Sequence, residues 1–472
     1  MLLFSRLTTW LLIAVLAGLA VALLYWPLTA LFAHIPLSYN EGWNGFHSLR
    51  LRTGGSLYPP VDAATFINYP PLSFYLTAAI AGLTGDDIVA GRILALAALA
   101  ITTLNVGLAA RRLGAAREVA IATALAFFCF VALYFTDYVG VDDPQWLAHA
   151  FQSTGLVVLL GGRRDWRTLV IVAALMVAGG LVKHNVLALP LAVTLWLAFE
   201  DRRALLRWLV AAAAIGATAL AICLGLYGGS FVDQVIRSGR TYTTDVLVLV
   251  LRMQAPHLAP FVIAAAIGVW LSRRHALGRF VGVYLATSTI VGILLMTGSG
   301  VIYNTLFDLV LAMMLGCALL LARIVAHATT DRSRAVATAL AIALLAARFV
   351  MLSPNALTAY ASVSADLARQ PEWTAAIARI RTEPGPVACE TLALCYWAGR
   401  DSEIEFFNFG QRVLLDPGYG AAFARQAQGG EIALVQRELT GGAKRLPPEL
   451  ETLLADRYRL ETNVPTALYV PR

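Results

Sequence analysis

Apolar runs long enough to cross a bilayer recur over the first three-quarters of the chain, separated by short polar stretches. A helix needs about 20 mostly apolar residues to span the hydrocarbon core. The run 8–32 meets that length. It is too long for a signal peptide, has no small-residue cleavage site, and reads as a retained first span. Further spans are expected at 88–110, 119–135, a fourth returning to Arg163, then 208–227, 260–271, 280–296, 306–323 and 335–351. The run 169–199 is too long for one helix and too short for two full ones. It predicts two short helices meeting near Lys183, His184 and Asn185, the kind of broken helix that lines a cavity. The piece "PPLSFYLTAAIAGL" is too short to span, and Pro70 and Pro71 suit a helix start, so an interfacial helix is expected. From 353 the apolar runs shorten. "PGPVACE", "SEIEFFNF", "EIALVQREL" and "TALYVPR" read there as strand-like pieces among helical ones. The fold class is a polytopic α-helical membrane protein of about eleven transmembrane helices. Residues 1–352 form its membrane domain and 353–472 a small α/β extracytoplasmic domain.

Composition agrees: 59% of the 472 residues are hydrophobic, and the mean hydropathy is +0.70, well above ordinary globular domains. The net charge of +7 raises the question of nucleic acid. The arginines answer it, because they sit in clusters between apolar runs: 111, 112, 117; 163, 164, 167; 202, 203, 207; 273, 274, 279; 332, 334. That is the positive-inside pattern. It places the N-terminus in the cytoplasm of a plasma or inner membrane protein and the C-terminal domain outside, with lipid and not nucleic acid as the surrounding partner. Cys129, Cys223 and Cys317 fall in apolar runs; Cys389 and Cys395 either pair, if their domain lies outside, or stay free thiols.

On that topology the acids gather outside: Glu41, Asp62, Asp86, Asp87, Asp137, Asp142, Asp143, Asp233 and Asp245. Ionisable groups at the edge of a membrane are costly and point to function. Glu41 is the lone acid in "LSYNEGWNGFH", just after the first span, and reads either as a reactive carboxylate in an outer loop or as a solvated one. Asp142 and Asp143 precede Pro144, where one of them also fits a helix cap. Lys183 is one of two lysines in the chain, with Lys444, and sits at a helix break; snorkelling is the bland reading and a specific anion contact the functional one. Asn304 and Asp308 share a helix face. HExxH and CxxC spacings are absent, as are P-loop and dinucleotide-binding glycine patterns. No metal site and no cofactor is assigned, although a divalent cation stays open.

Taken in order, the acid after span one, "NYPPLSFYL", Arg92 in "AGRILAL", the acidic loop before span four, "LVKHNVLALPLA" and "YNTLFDLVLAMML" resemble the GT-C glycosyltransferases. The similarity is to the branch of protein O-mannosyltransferases and lipid A aminoarabinose transferases, and "VACETLALCYWAGRDSEIEF" looks like that branch's outer domain. The resemblance implies transfer of a sugar from a polyprenyl-phosphate donor to a hydroxyl of a glycan, lipid or protein acceptor at the outer face, with inversion. It implies catalytic roles for Glu41 and for Asp142 or Asp143. Where the family often has an Asp-Glu pair, this chain has Asn40 before Glu41. A leaving phosphate needs cations, for which Lys183, Arg237, Arg240 and Arg92 are candidates. A sugar ring needs amides and aromatic walls, offered by Asn40, Trp43, Asn44, Asn68, Tyr69, His184, Asn304 and Asp308. The rival expectation is a transporter or flippase of lipid-linked glycans; the one-sided gathering of acids and the lack of internal repeats weigh against it.

Overall fold

The structure, a computed structural model, describes residues 2–60, 64–439 and 446–472; Asp62 and Lys444 fall outside them. Helix α1 (Leu2–Thr29) is followed by α2 (Tyr39–Arg52) and α3 (Leu72–Thr84), then by α4 (Asp87–Arg112), α5 (Arg117–Tyr134) and α6 (Gln145–Gly161). The pair α7 (Trp166–Val182) and α8 (Ala188–Glu200) breaks at Lys183, which caps α7 in an extended conformation. The bundle continues through α9 (Arg202–Phe231), α10 (Asp245–Ser272), α11 (Ala276–Leu295), α12 (Phe307–Ala326) and α13 (Asp331–Ala368). Among the described residues, seven helical segments, built on α1, α4, α5, α9, α10, α11 and α12, are long and apolar enough to cross a membrane. Their outward faces carry large apolar side chains such as Leu226 and Ile263, 65% and 60% exposed. Such a surface is stable only against lipid, and the protein is a multi-pass helical membrane protein.

The arginine clusters meet on one face. Arg207 donates to Arg164 O at 3.0 Å, Arg279 pairs with Glu200 at 2.5 Å and Arg323 donates to Ser272 Oγ at 3.0 Å. These contacts bring together the turns after α6, α8, α10 and α12, so the alternation of the helices follows the charge pattern.

Three sequence expectations change in the membrane part and at its boundary. The stretch "LSYNEGWNGFH" is not a loop: from Tyr39 onward it is the first two turns of α2, with Ser38 Oγ capping Asn40 N–H and Glu41 in the first turn. Helix α10 starts at Asp245, ahead of the expected 260, and holds Pro256 and Pro260 inside it. Pro260 cannot donate to the carbonyl four residues back, and Arg348 Nη2 supplies that carbonyl, Pro256 O, at 3.1 Å. Helix α13 runs through residue 353 without a break, so the α/β unit begins with α14 (Gln370–Thr382).

That unit contains β1 (Val387–Cys389), α15 (Leu392–Ala398), α16 (Phe406–Leu415), α17 (Ala421–Gly429), β2 (Leu434–Arg437), α18 (Pro448–Arg457), β3 (Tyr458–Thr462) and β4 (Ala467–Pro471). The sheet order is β1-β2-β4-β3, with β1 parallel to β2 (Val387 opposite Leu434) and the other pairs antiparallel. "SEIEFFNF" supplies the start of α16 and no strand: Glu405 accepts from the N–H groups of Phe407 and Asn408, which caps a helix. Cys389 and Cys395 form a disulfide, with Cα atoms 6.0 Å apart. Among the described residues, Cys129, Cys223 and Cys317 are free and buried.

The two parts are tightly joined. The backbone of Gly42 in α2 lies so close to α15 that a Cβ there would collide with the Ala393 amide. Trp397 donates to Asp86 at 3.1 Å and stacks on His34 with ring centroids 5.1 Å apart, and the Arg412 guanidinium sits 3.7 Å from the Phe66 ring centroid.

Candidate active site

On the face opposite the arginines, the ends of α5, α7, α9 and α11 and the starts of α2 and α16 surround a cavity of about 650 Å³. Its lining divides by chemistry. Lys183 and Arg240 form a cationic pole, with the His184 ring beside them. Lys183 Nζ sits 4.8 Å from the Tyr69 ring centroid and donates to Asp143 Oδ1 at 2.8 Å. Asn40 Nδ2 donates to the other oxygen of that carboxylate at 2.8 Å, and Gln145 N–H to Oδ1 at 2.8 Å. Asp143 therefore caps the start of α6 and fixes both Lys183 and Asn40, a positioning role behind the wall. Arg240 donates to Ser299 O at 3.3 Å.

Leu187, Val235, Ile236, Leu294, Leu295, Val301 and Ile302 give the cavity an apolar flank. The amides of Asn68, Asn185, Asn304 and Asn408 and the rings of Trp43, Tyr69 and Phe407 line the remainder. Among the described residues, two carboxylates reach the lining, Asp137 and Glu405. Asp137 is exposed and accepts from Tyr303 Oη. Glu405 is fully buried. It accepts from Tyr39 Oη and from Phe407 and Asn408 N–H at 3.0 and 2.7 Å. Burial holds the Glu405 carboxyl above its ordinary range despite these donors. Burial, and then the Glu405 charge, push the Tyr39 phenol well above its own.

Of the residues expected from sequence, Asn40, Trp43, Asn68, Tyr69, Lys183, His184, Arg240 and Asn304 are brought together here. Seven are not: Asp143, Asp142 and Asn44 stand behind the wall, and Glu41, Arg92, Arg237 and Asp308 are engaged elsewhere, each for a visible reason. Glu41 is 0% exposed, and all its acceptor positions are filled. Arg92 Nε and Nη2 donate at 2.7 and 2.8 Å, Leu37 N–H at 2.9 Å and Asp142 N–H at 3.2 Å. A carboxylate in that state has no site left for a substrate proton. Arg92 is saturated likewise, its remaining N–H groups going to the carbonyls of Ala30, Leu31, Ala33 and Ile35. It ties the chain leaving α1 to α4 and does not reach the cavity. Arg237 points to solvent with 73% of its side chain exposed, paired with Asp233 at 3.3 Å. Asp308 is buried in α12, where it accepts from Tyr284 Oη at 2.6 Å.

Asp142 and Asn44 stand together just behind the wall. Asn44 Nδ2 donates to Asp142 O at 2.7 Å, and Asp142 lies against Gly91 of α4 so closely that any side chain there would overlap its carboxyl. Both line a separate cavity of about 10 Å³, the size of one water. Among the described residues no group of three or more His, Cys, Asp or Glu side chains is placed to hold a metal. Sequence reasoning passed over Tyr39, Glu405, Phe407 and Asn408. An acid heading "EFFNF" is an N-cap signal that would have flagged Glu405; nothing local marks Asn408.

Comparison with known proteins follows the same lines. Residues 68–227 match the family model described as dolichyl-phosphate-mannose-protein mannosyltransferase. No curated protein matches the chain. Among solved structures, ArnT from Cupriavidus metallidurans bound to undecaprenyl phosphate superposes with a TM-score of 0.59 at 15% identity, covering 95% of this chain and 96% of that one. Its apo state gives 0.62 at 12% identity, covering 96% and 98%. The Archaeoglobus fulgidus oligosaccharyltransferase tethered with an acceptor peptide gives 0.56 at 12% identity, covering 98% of this chain and 74% of that one. The chain has the GT-C fold.

Proposed function

We propose that the protein is a membrane glycosyltransferase that moves a sugar from a polyprenyl-phosphate donor to an acceptor hydroxyl on the extracytoplasmic face. One observation carries the reading: a cavity with an apolar flank for a lipid chain has Lys183 and Arg240 as a cationic pole and Asp137 as an exposed carboxylate. The match of residues 68–227 to the mannosyltransferase model and the fold shared with an undecaprenyl-phosphate-bound transferase support it. The side of the membrane rests on the arginine face lying opposite the cavity and on a disulfide of the kind that persists in oxidising compartments.

In this reaction the acceptor oxygen bonds to the anomeric carbon while the carbon–oxygen bond to phosphate breaks. The bonding pair leaves with the phosphate, whose growing charge meets Lys183 and Arg240. The hydroxyl proton passes to Asp137, the exposed carboxylate of the cavity. A single displacement of this kind inverts the anomeric centre. Lys183 keeps its place through Asp143. The test is turnover by the purified protein with undecaprenyl-phosphate mannose, glucose and aminoarabinose against an acceptor panel, reading released undecaprenyl phosphate by mass spectrometry. Release that needs an acceptor and vanishes in Lys183→Ala supports the reading. Intact passage of the sugar lipid across proteoliposomes without cleavage refutes it.

A further inference from the structure

Asn68 lies between α2 and α3 and is 2% exposed, and its Oδ1 has no hydrogen-bond partner among the described residues. Leaving a buried amide oxygen unsatisfied costs about 1–3 kcal/mol, so such a group calls for an explanation. Both Asn68 and Asn408, the latter 6% exposed and in the first turn of α16, line the cavity. Asn68 Nδ2 faces Asn408 Oδ1 at 3.5 Å, the long limit of a hydrogen bond. The two amides thus form a loosely closed pair across the boundary between the membrane bundle and the C-terminal domain.

The surroundings narrow what the pair recognises. Asn408 is held from behind: its N–H donates to Glu405 Oε2 at 2.7 Å, and Glu405 takes the Tyr39 hydroxyl. Glu405 N–H donates to Ala64 O at 3.0 Å, which fixes the start of α16 to the bundle. Phe407 is wedged against Gly300, where any side chain would strike its ring. Trp43 stands edge-on to Tyr69 with centroids 4.5 Å apart. The amides are therefore neutral donors and acceptors on rigid supports, beside aromatic faces, which suits hydroxyl groups on a saturated ring better than a charged group. Their position relative to the cations is fixed by the chain, since Asn68 precedes Tyr69, over whose ring Lys183 sits.

We propose that Asn68 and Asn408 form the subsite that reads the hydroxyls of the donor sugar, so that a residue of the C-terminal domain sets sugar selectivity. This rests on the donor reading above and names the substrate contact within that site. Glu405 is a positioning residue, acting through Asn408.

The test is equilibrium binding of the full chain in nanodiscs to undecaprenyl phosphate and to undecaprenyl-phosphate mannose, glucose and aminoarabinose. The wild type is expected to bind at least one sugar lipid about tenfold tighter than the bare lipid, the value of one or two good hydrogen bonds. Asn408→Ala is expected to remove most of that preference while holding bare-lipid affinity within about twofold. Asn68→Ala, on the bundle side, gives a second reading should the first variant fold poorly, and melting curves identify that case. Equal weakening toward bare and sugar-bearing lipid, unchanged preference in both variants, or a wild type without preference overturns the subsite. A wild type that binds no lipid phosphate overturns the donor reading itself.

Discussion

Arg92 and Glu41 hold each other through two hydrogen bonds of 2.7 and 2.8 Å, and neither side chain has any exposed surface. The pair closes the chain between α1 and α2 onto α4, and it stands behind the cavity without entering it. Removing one member of such a pair leaves a buried charge uncompensated. Glu41→Gln and Arg92→Ala should therefore each cost about 3–5 kcal/mol and lower the melting midpoint by roughly 3–5 °C. The folded fraction of Glu41→Gln should keep its turnover; a fully stable, fully inactive Glu41→Gln would restore the reactive-carboxylate role.

Asp137→Asn should lower turnover by about 10²–10⁴-fold, the usual worth of a placed proton acceptor. Undecaprenyl-phosphate affinity should stay unchanged, because Asp137 does not contact the cations in the structure. Single-turnover rates beside binding isotherms separate the two effects.

Lys183→Ala should weaken undecaprenyl-phosphate binding by at least about tenfold, as expected for loss of a charge-assisted contact. It also leaves Asp143 without its cation, so a fall in melting midpoint should accompany it. Asp143→Asn should reproduce part of the binding loss by freeing Lys183. Equal lipid affinity in wild type and Lys183→Ala removes the cation from the phosphate site.

Burial keeps the Glu405 proton on to a higher pH than an ordinary carboxyl. Between about 4.3, the unfolded value, and that raised value, the folded chain holds a proton that the unfolded chain has lost. Stability from this group is therefore greatest at low pH and falls as pH rises through the window. Glu405→Gln should flatten that slope in melting midpoint against pH, relative to wild type.

Cys389 and Cys395 enclose a short loop, and chain-entropy reasoning gives such a crosslink about 2 kcal/mol. The double variant Cys389→Ser, Cys395→Ser should melt earlier by that amount while retaining lipid binding. Loss of binding along with the crosslink would make the disulfide part of the cavity's support.

Much of the bundle was legible because lipid as solvent enforces simple rules: apolar runs, arginine clusters and a broken run at Lys183 correspond to helices, one face and the α7–α8 junction. The cationic and amide lining was legible for the same reason, since polar residues at helix ends stand out against an apolar background. What could not be read was the direction of side chains over distance. Glu41 looked available because it was alone in its stretch, and only the fold brings Arg92, 51 positions away, onto both its oxygens. The prolines of α10 read as a start because the compensating donor, Arg348, lies 92 positions on. "SEIEFFNF" alternates like a strand, yet its Glu405 caps a helix, and tertiary docking to Tyr39 decides between the two.

The docking of α16 also imposes an order in time. Tyr39 and Glu405 are separated by 366 positions, so the first turn of α2 waits for its partner until nearly the whole chain has been synthesised. Every membrane helix can be in place while one wall of the chamber is still missing. A ribosome that stops before Asn408 leaves an inserted bundle with an open bowl and not a chamber. On the subsite proposed above, substrate reading is thus among the last properties that translation confers.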